Sequence, residues 1–176
     1  MGHPIALNLI EGGYKVLGYE IDENRWKPTD QLSYVKDLET LANKTGVILL
    51  SLPDGSAVEK VVAELLTFNV PHKLAVVDTS TIGAKASQAI GHSIRNTGFE
   101  YLDSPVSGGV RGAVAGTLAV MCAGSKNLYS SVLPLLTTFT ANQFLIGPQP
   151  GQAQTVKVLN NFQLILAMFL SFSPRF

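Results

Sequence analysis

Lys157 and Asn161 stand four residues apart in a run, 152–171, that is otherwise rich in apolar side chains. In a helix that spacing puts both on one face, one turn apart. A lysine amine can give and take a proton near neutral pH once partial desolvation brings its pKa down. An ordinary solvated lysine on a helix would look the same in sequence. The second stretch with chemical potential is Asp103-Ser104-Pro105-Val106-Ser107-Gly108-Gly109, continued by Val110 to Gly116. Pro105 fixes its own φ and restricts Ser104, so the chain leaves the preceding strand in a set direction. Gly108 and Gly109 let backbone approach a ligand closely, Ser107 adds a hydroxyl, and consecutive N–H groups in such a loop can form an anion-binding nest. A tight surface turn is the plain alternative.

These residues need a scaffold that brings 103–109 near 157–161. Ile5, Ala6, Leu9 and Ile10 recur at helical spacing ahead of Gly12 and Gly13, which predicts an opening helix. Apolar runs predict strands at 15–20, 47–52, 74–77, 99–102, 117–122 and 142–146. Helices are expected at 37–43, 56–66, 84–96, 128–137 and 152–171, and residues 24–34 read as a polar loop in which Trp26 packs and Pro28 breaks structure. Strand and helix alternate without internal repeat, the pattern of an α/β fold with a mostly parallel sheet covered on both faces. Ligands of such sheets sit outside the carboxyl ends of the strands. Gly147-Pro148-Gln149-Pro150-Gly151 reads as a linker, so 1–148 is expected to form one unit and 149–176 the linker and a following helix.

Composition narrows the classes. Thirteen basic and thirteen acidic residues sum to no net charge, which excludes nucleic acid or an anionic membrane surface as the expected partner. Cys122 is the sole cysteine, so no internal disulfide forms; a reduced cytosolic, mitochondrial or plastid interior suits it. It reads as a small buried hydrophobe. Lys157, Asn160, Asn161 and Gln163 interrupt the last helix, and its unbroken apolar part is too short to span a bilayer. No metal-ligand spacing stands out.

The stretch DSPVSGGVRGAVAGTL resembles the substrate-binding segment of the β-hydroxyacid dehydrogenases, the family of 3-hydroxyisobutyrate dehydrogenase and glyoxylate reductase. Gly151…Lys157-Val158-Leu159-Asn160-Asn161 is similar to that family's G…K-x-x-N-N, and MGHPIALNLIEGG to its first helix, which there follows a strand and a Gly-x-Gly. The resemblance implies that Ser107, Gly108 and Gly109 hold the substrate carboxylate, that Asn161 helps position the substrate, and that Lys157 is catalytic. It makes Gly2 the third glycine of a dinucleotide fingerprint, sets Leu52 and Pro53 near the adenosine and ribose, and sets Thr81 beside the nicotinamide. Thr81 could instead cap the helix that follows it. Glu20 lies near the spacing at which an acidic residue accepts bonds from a ribose 2′-OH; Ile21, not an arginine, follows it, so NAD is favoured over NADP. Glu20 could equally open a solvated turn with Asp22 and Glu23.

The implied fold is a Rossmann-type doubly wound domain without its first strand, joined to the start of an interdomain helix. The implied activity is NAD-dependent oxidation of a small β-hydroxyacid such as 3-hydroxyisobutyrate. The first strand, its two glycines and a helical second domain are not matched, so the expected turnover is weak or nil. The strands flanking the unmatched one should lack ladder partners, and 164–172 should form an apolar patch that a second copy could cover. Two alternatives stand beside this: a non-catalytic remnant acting by association, and an NADPH-dependent glyoxylate- or succinic-semialdehyde-type reductase.

Overall fold

The computed structural model describes residues 1–25, 27 and 29–171; Trp26, Pro28 and the expected irregular end at 173–176 lie outside the described residues. Helix α1 (Gly2–Glu11) buries Ile5 and Leu9, four residues apart on one face. After Gly12 and Gly13 come β1 (Val16–Gly18), a single 3-10 turn (Glu23–Arg25) and β2 (Leu32–Tyr34). β2 replaces part of the expected loop: three residues are too few for an alternation signal, yet they pair with β1 in parallel. Helix α2 (Leu38–Lys44) is capped by Asp37, whose carboxylate accepts from Thr40 N at 2.6 Å. β3 (Val47–Leu50) leads to α3 (Gly55–Leu65), capped by Asp54 through Ala57 N at 2.9 Å. β4 (Leu74–Asp78), α4 (Ala84–Ile94) and β5 (Phe99–Asp103) follow.

β3, β4 and β5 pair in parallel. Beyond Asp103 the chain does not form a tight turn. It continues extended through β6 (Val106–Ser107) before α5 (Gly109–Ala115). β7 (Leu118–Ala123) runs antiparallel to both: Ala123 faces Asp103, Met121 N donates to Pro105 O at 3.1 Å, and Val120 faces Val106. β5 and β6 thus lie along one edge of β7 in a single register. Helix α6 (Lys126–Leu136) and β8 (Thr140–Gly147), parallel to β7, complete the sheet, and α7 (Gln152–Ser171) follows.

The sheet has two buried faces. Val76 and Tyr101 pack with α2, α3 and α4 through Leu41, Val62 and Ile90. The next residues along, Val77 and Leu102, point the other way, against Ile5 of α1 and Leu128 and Val132 of α6. This alternation makes the domain a doubly wound Rossmann type. β1 and β2 form a sheet of their own, and among the described residues β3 pairs only with β4. Among the described residues, β1 and β3, the strands flanking the unmatched one, each pair on one side only.

Residues 147–151 are docked rather than free. Pro150 packs on α4 so closely that a Cβ at Gly91 would lie 2.6 Å from its Cγ. Gly151 is buried at φ +91°, and a Cβ there would meet Ala84 O at 2.8 Å. Gly151→Ala is therefore expected to cost about 2–3 kcal/mol in urea unfolding, from a strained φ and a backbone clash. Gly98→Ala, where a Cβ meets open space, should cost less than about 1 kcal/mol.

Candidate functional site

The carboxyl ends of β4 and β5 carry register partners Asp78 and Asp103, both fully buried. Asp78 accepts from Ser80 N at 2.9 Å and from the Tyr101 hydroxyl at 3.0 Å. Burial nevertheless pushes its carboxyl up to about 6, because desolvation outweighs those bonds. Asp103 is likewise raised by burial, against bonds from Gly151 N at 2.8 Å and Gln154 Nε2 at 2.8 Å. These bonds bring the first turn of α7 onto the end of β5.

One turn further, Lys157 is only 7% exposed. Burial holds its ammonium below the ordinary lysine range, the direction that suits an amine exchanging protons near neutrality. Asn160, on the same side of α7, donates from Nδ2 to Ser107 Oγ at 3.0 Å. The lysine-bearing face of α7 therefore meets the loop after β6. Gly108 has φ +127°, and a Cβ on it would lie 3.0 Å from Leu118 Cδ2; Gly109 has φ +63° and starts α5. Only glycine fits that path without strain. Asn161 is exposed, and the asparagine that reaches Ser107 is its neighbour.

A second group of candidates lines an open cleft at the carboxyl ends of β3 and β4. Its walls include Met1, Ser51, Leu52, Pro53 and Thr81. Leu52 N donates to Ser80 Oγ at 2.9 Å, and Thr79 Oγ1 to Leu50 O at 2.6 Å, which fixes the two loops against each other. Thr81 does not cap α4: the N-cap is Gly83, and no side chain caps that helix. Gly2 is not among the walls, though its neighbour Met1 is, and a Cβ on Gly2 would sit 3.5 Å from Ser51 Cβ, an ordinary contact. Glu20 is not part of these walls; its Oε1 accepts from Asp22 N at 3.1 Å. Arg25 reaches the cleft from the following turn, paired with Asp22 at 3.2 Å.

So Leu52, Pro53 and Thr81 share one cleft, while Ser107, Gly108 and Lys157 gather around α7. Glu20 and Asn161 lie outside both groups. Asp78, Asp103, Gln154 and Asn160 were given no role from the sequence, although Asp103 and Asn160 lie inside the two motifs read there. The only available signals were an aspartate ending each strand, a neutral amide amid apolar residues, and a K-x-x-N spacing that fits a helix face as well as K-x-x-x-N does. Cys122 is fully buried, and burial pushes its thiol up to about 11, so it is inert packing. Among the described residues no group of three His, Cys, Asp or Glu could hold a metal, and no helix is long and apolar enough to cross a membrane.

Residues 1–147 match the family model described as the NAD binding domain of 6-phosphogluconate dehydrogenase. A 3-hydroxyisobutyrate dehydrogenase of Pseudomonas aeruginosa is 30% identical over 96% of this chain and 57% of its own length. The NAD-dependent L-serine dehydrogenase of the same organism is 32% identical, over 96% of the chain and 57% of that protein. Among solved structures, the Mycobacterium tuberculosis 3-hydroxyisobutyrate dehydrogenase with L-serine aligns with a TM-score of 0.85 at 26% identity, covering 98% of this chain and 63% of that one. The chain thus spans a little over half the length of the curated relatives it matches.

The Asp78 environment has a testable consequence. Its folded-state pKa, about 6, lies above the ordinary 3.8, so the folded state binds the proton more tightly. Its contribution favours the fold below the unfolded value and is lost as pH rises through the folded one. Asp78→Asn should flatten the stability slope between about pH 4 and 6 and gain roughly 2 kcal/mol relative to wild type on going from pH 4 to pH 7 in urea titrations. Parallel stability curves for the two proteins would contradict this.

Proposed function

The chain belongs to the family of the NAD-binding domain of 6-phosphogluconate dehydrogenase, and from that premise we propose that it serves NAD-linked oxidation of a small β-hydroxyacid of the 3-hydroxyisobutyrate type. The observation that carries this reading is the bond from Asn160 to Ser107, which sets a buried lysine beside a glycine-rich loop about 50 residues away in the chain. The residues suit a dinucleotide. An open cleft lies at the ends of two parallel strands, beside a first turn of α1 whose N-cap, Met1, makes no side-chain capping bond.

Leu52, Pro53 and Thr81 form the cofactor wall, with Gly2 next in the chain to the wall residue Met1; NAD is proposed over NADP from the Glu20-Ile21 pair in the sequence, although Glu20 stands outside the walls. NAD, when bound, supplies the acceptor for the hydrogen that leaves the carbinol carbon with its electron pair. Ser107, Gly108 and Gly109 grip the substrate carboxylate, with Ser107 held in place by Asn160, which takes the positioning role that the resemblance gave to the exposed Asn161. The neutral Lys157 amine takes the hydroxyl proton as the carbonyl forms, and the ammonium returns it in the reverse direction. Burial helps here, because a fully solvated ammonium would hold its proton too firmly.

A second reading, association without turnover, is favoured by the outer part of α7. Phe162, Leu164, Ile165, Met168 and Phe169 are all more than half exposed there, and a second copy of the chain is the occupant proposed. A reduced cytosolic or organellar interior remains the proposed setting, from the single buried cysteine.

Fluorescence titration with NADH and NADPH tests the cofactor assignment. NADH is expected to bind at least about tenfold more tightly, a difference of about 1.4 kcal/mol. Tighter NADPH binding would overturn the role given to Glu20. Oxidation of 3-hydroxyisobutyrate that Lys157→Ala abolishes, with NADH affinity kept, supports the dehydrogenase reading. NADH binding without any oxidation favours the associating one.

A further inference from the structure

Gln154 lies fully buried at the centre of the site, and the proposed function gives it no task. Its amide makes every bond a primary amide is built for. Oε1 accepts from Ile82 N at 3.0 Å and Gly83 N at 3.2 Å, while Nε2 donates to Asp103 Oδ1 at 2.8 Å and Ser80 O at 3.1 Å. Turning the amide over would set N–H against N–H and oxygen against oxygen on both sides, so one orientation alone satisfies the four partners. Three segments meet at this side chain. The loop after β4 carries Thr81 between its bonded residues; Asp103 opens the run that leads to Ser107; and Gln154 itself stands three residues before Lys157, on the same side of α7.

We propose that Gln154 is a positioning residue that joins the cofactor loop to Lys157, so that a dinucleotide resting against Thr81 alters the surroundings of the lysine ammonium through the Gln154 amide. This rests on the reading of Thr81 as cofactor wall and of Lys157 as proton carrier. The physical reason is the absence of slack. A buried polar group with every partner in place resists any shift that would strand one of them, so its three segments move together or not at all. An apolar residue of the same length would fill the space and leave them uncoupled. Ile82 N, Gly83 N, Ser80 O and one oxygen of Asp103 would then lack their present partner, and water entering to satisfy them would also reach the base of Lys157.

The test follows the Lys157 amine directly. Lysines are reductively methylated with carbon-13 formaldehyde, and the Lys157 signal is assigned by its loss in Lys157→Arg. Its pH titration is then recorded with and without NADH. In the wild type Lys157 should titrate below the remaining lysines, and NADH should shift that titration. In Gln154→Met its apparent pKa should rise by about half a unit or more as the amine is hydrated, and the NADH-induced shift should fall by at least half. If circular dichroism shows that Gln154→Met does not fold, Gln154→Glu decides. It keeps the shape but sets a carboxylate against Asp103 and the Ser80 carbonyl, and it should move the titration in the same direction. A folded variant whose Lys157 titration stays within about 0.2 unit of wild type, with and without NADH, overturns the proposal. If the wild type binds no NADH, the dinucleotide reading fails on its own; a raised Lys157 titration in the ligand-free variant still upholds the joint, and an unchanged one sinks it.

Discussion

A buried carboxylate at the start of α7 holds the site together. Asp103 has no solvent exposure, and an ionised carboxyl taken from water costs several kcal/mol unless its oxygens are met. Here Gly151 N and the Gln154 amide meet them, at a helix start where unpaired N–H groups need an acceptor. Each side solves the other's problem. Removing either would leave a buried charge or buried donors without partners, a loss of about 3–5 kcal/mol for a charged group. The consequence for function is positional: β5 ends at Asp103, the first turn of α7 is bonded to it, and Lys157 comes one turn after Gln154.

The same edge of the sheet explains why two loops far apart in sequence belong to one region. β4 and β5 are register partners, so the loops that leave them start side by side. The loop after β4 folds back toward β3, where Leu52 and Thr81 share a cleft; the run after β5 stays extended along β7 and delivers Ser107 to α7. A tight turn after Asp103 would have released the chain too early to reach Asn160. The family match over 1–147 ends where the strands end, and the elements that gather around Lys157 straddle that point. The separate β1·β2 sheet leaves the cleft with one side contributed by α1 and by the turn that bears Arg25.

Much of the scaffold was legible in sequence because local rules decided it. The apolar runs read as strands at 47–52, 74–77 and 117–122 form strands at 47–50, 74–78 and 118–123, and alternation of strand and helix gave the doubly wound class. The extended run through Val106 and Ser107 was not legible, since only pairing with β7 distinguishes it from a turn. β2 was missed for a similar reason: its three residues are a strand because β1 is beside them. The motif around Lys157 pointed to Asn161, whereas the bond to Ser107 comes from Asn160; both spacings fit a helix face, and only the loop's position chooses between them. Gln154 looked like any polar residue of an amphipathic helix. Its partners lie 51 to 74 residues away, so no window along the chain could have found them.

The most direct measurement of the Asp103 lock is amide hydrogen exchange at Gly151 and Gln154, read residue by residue by NMR at neutral pH. If the carboxylate holds the start of α7 as described, these two amides exchange about as slowly as those of the central strand β4, because opening them breaks their bonds to the buried Asp103 carboxyl. Exchange as fast as at the open Gly98 would mean that the first turn of α7 is not anchored to β5, and the positioning of Lys157 would lose its basis.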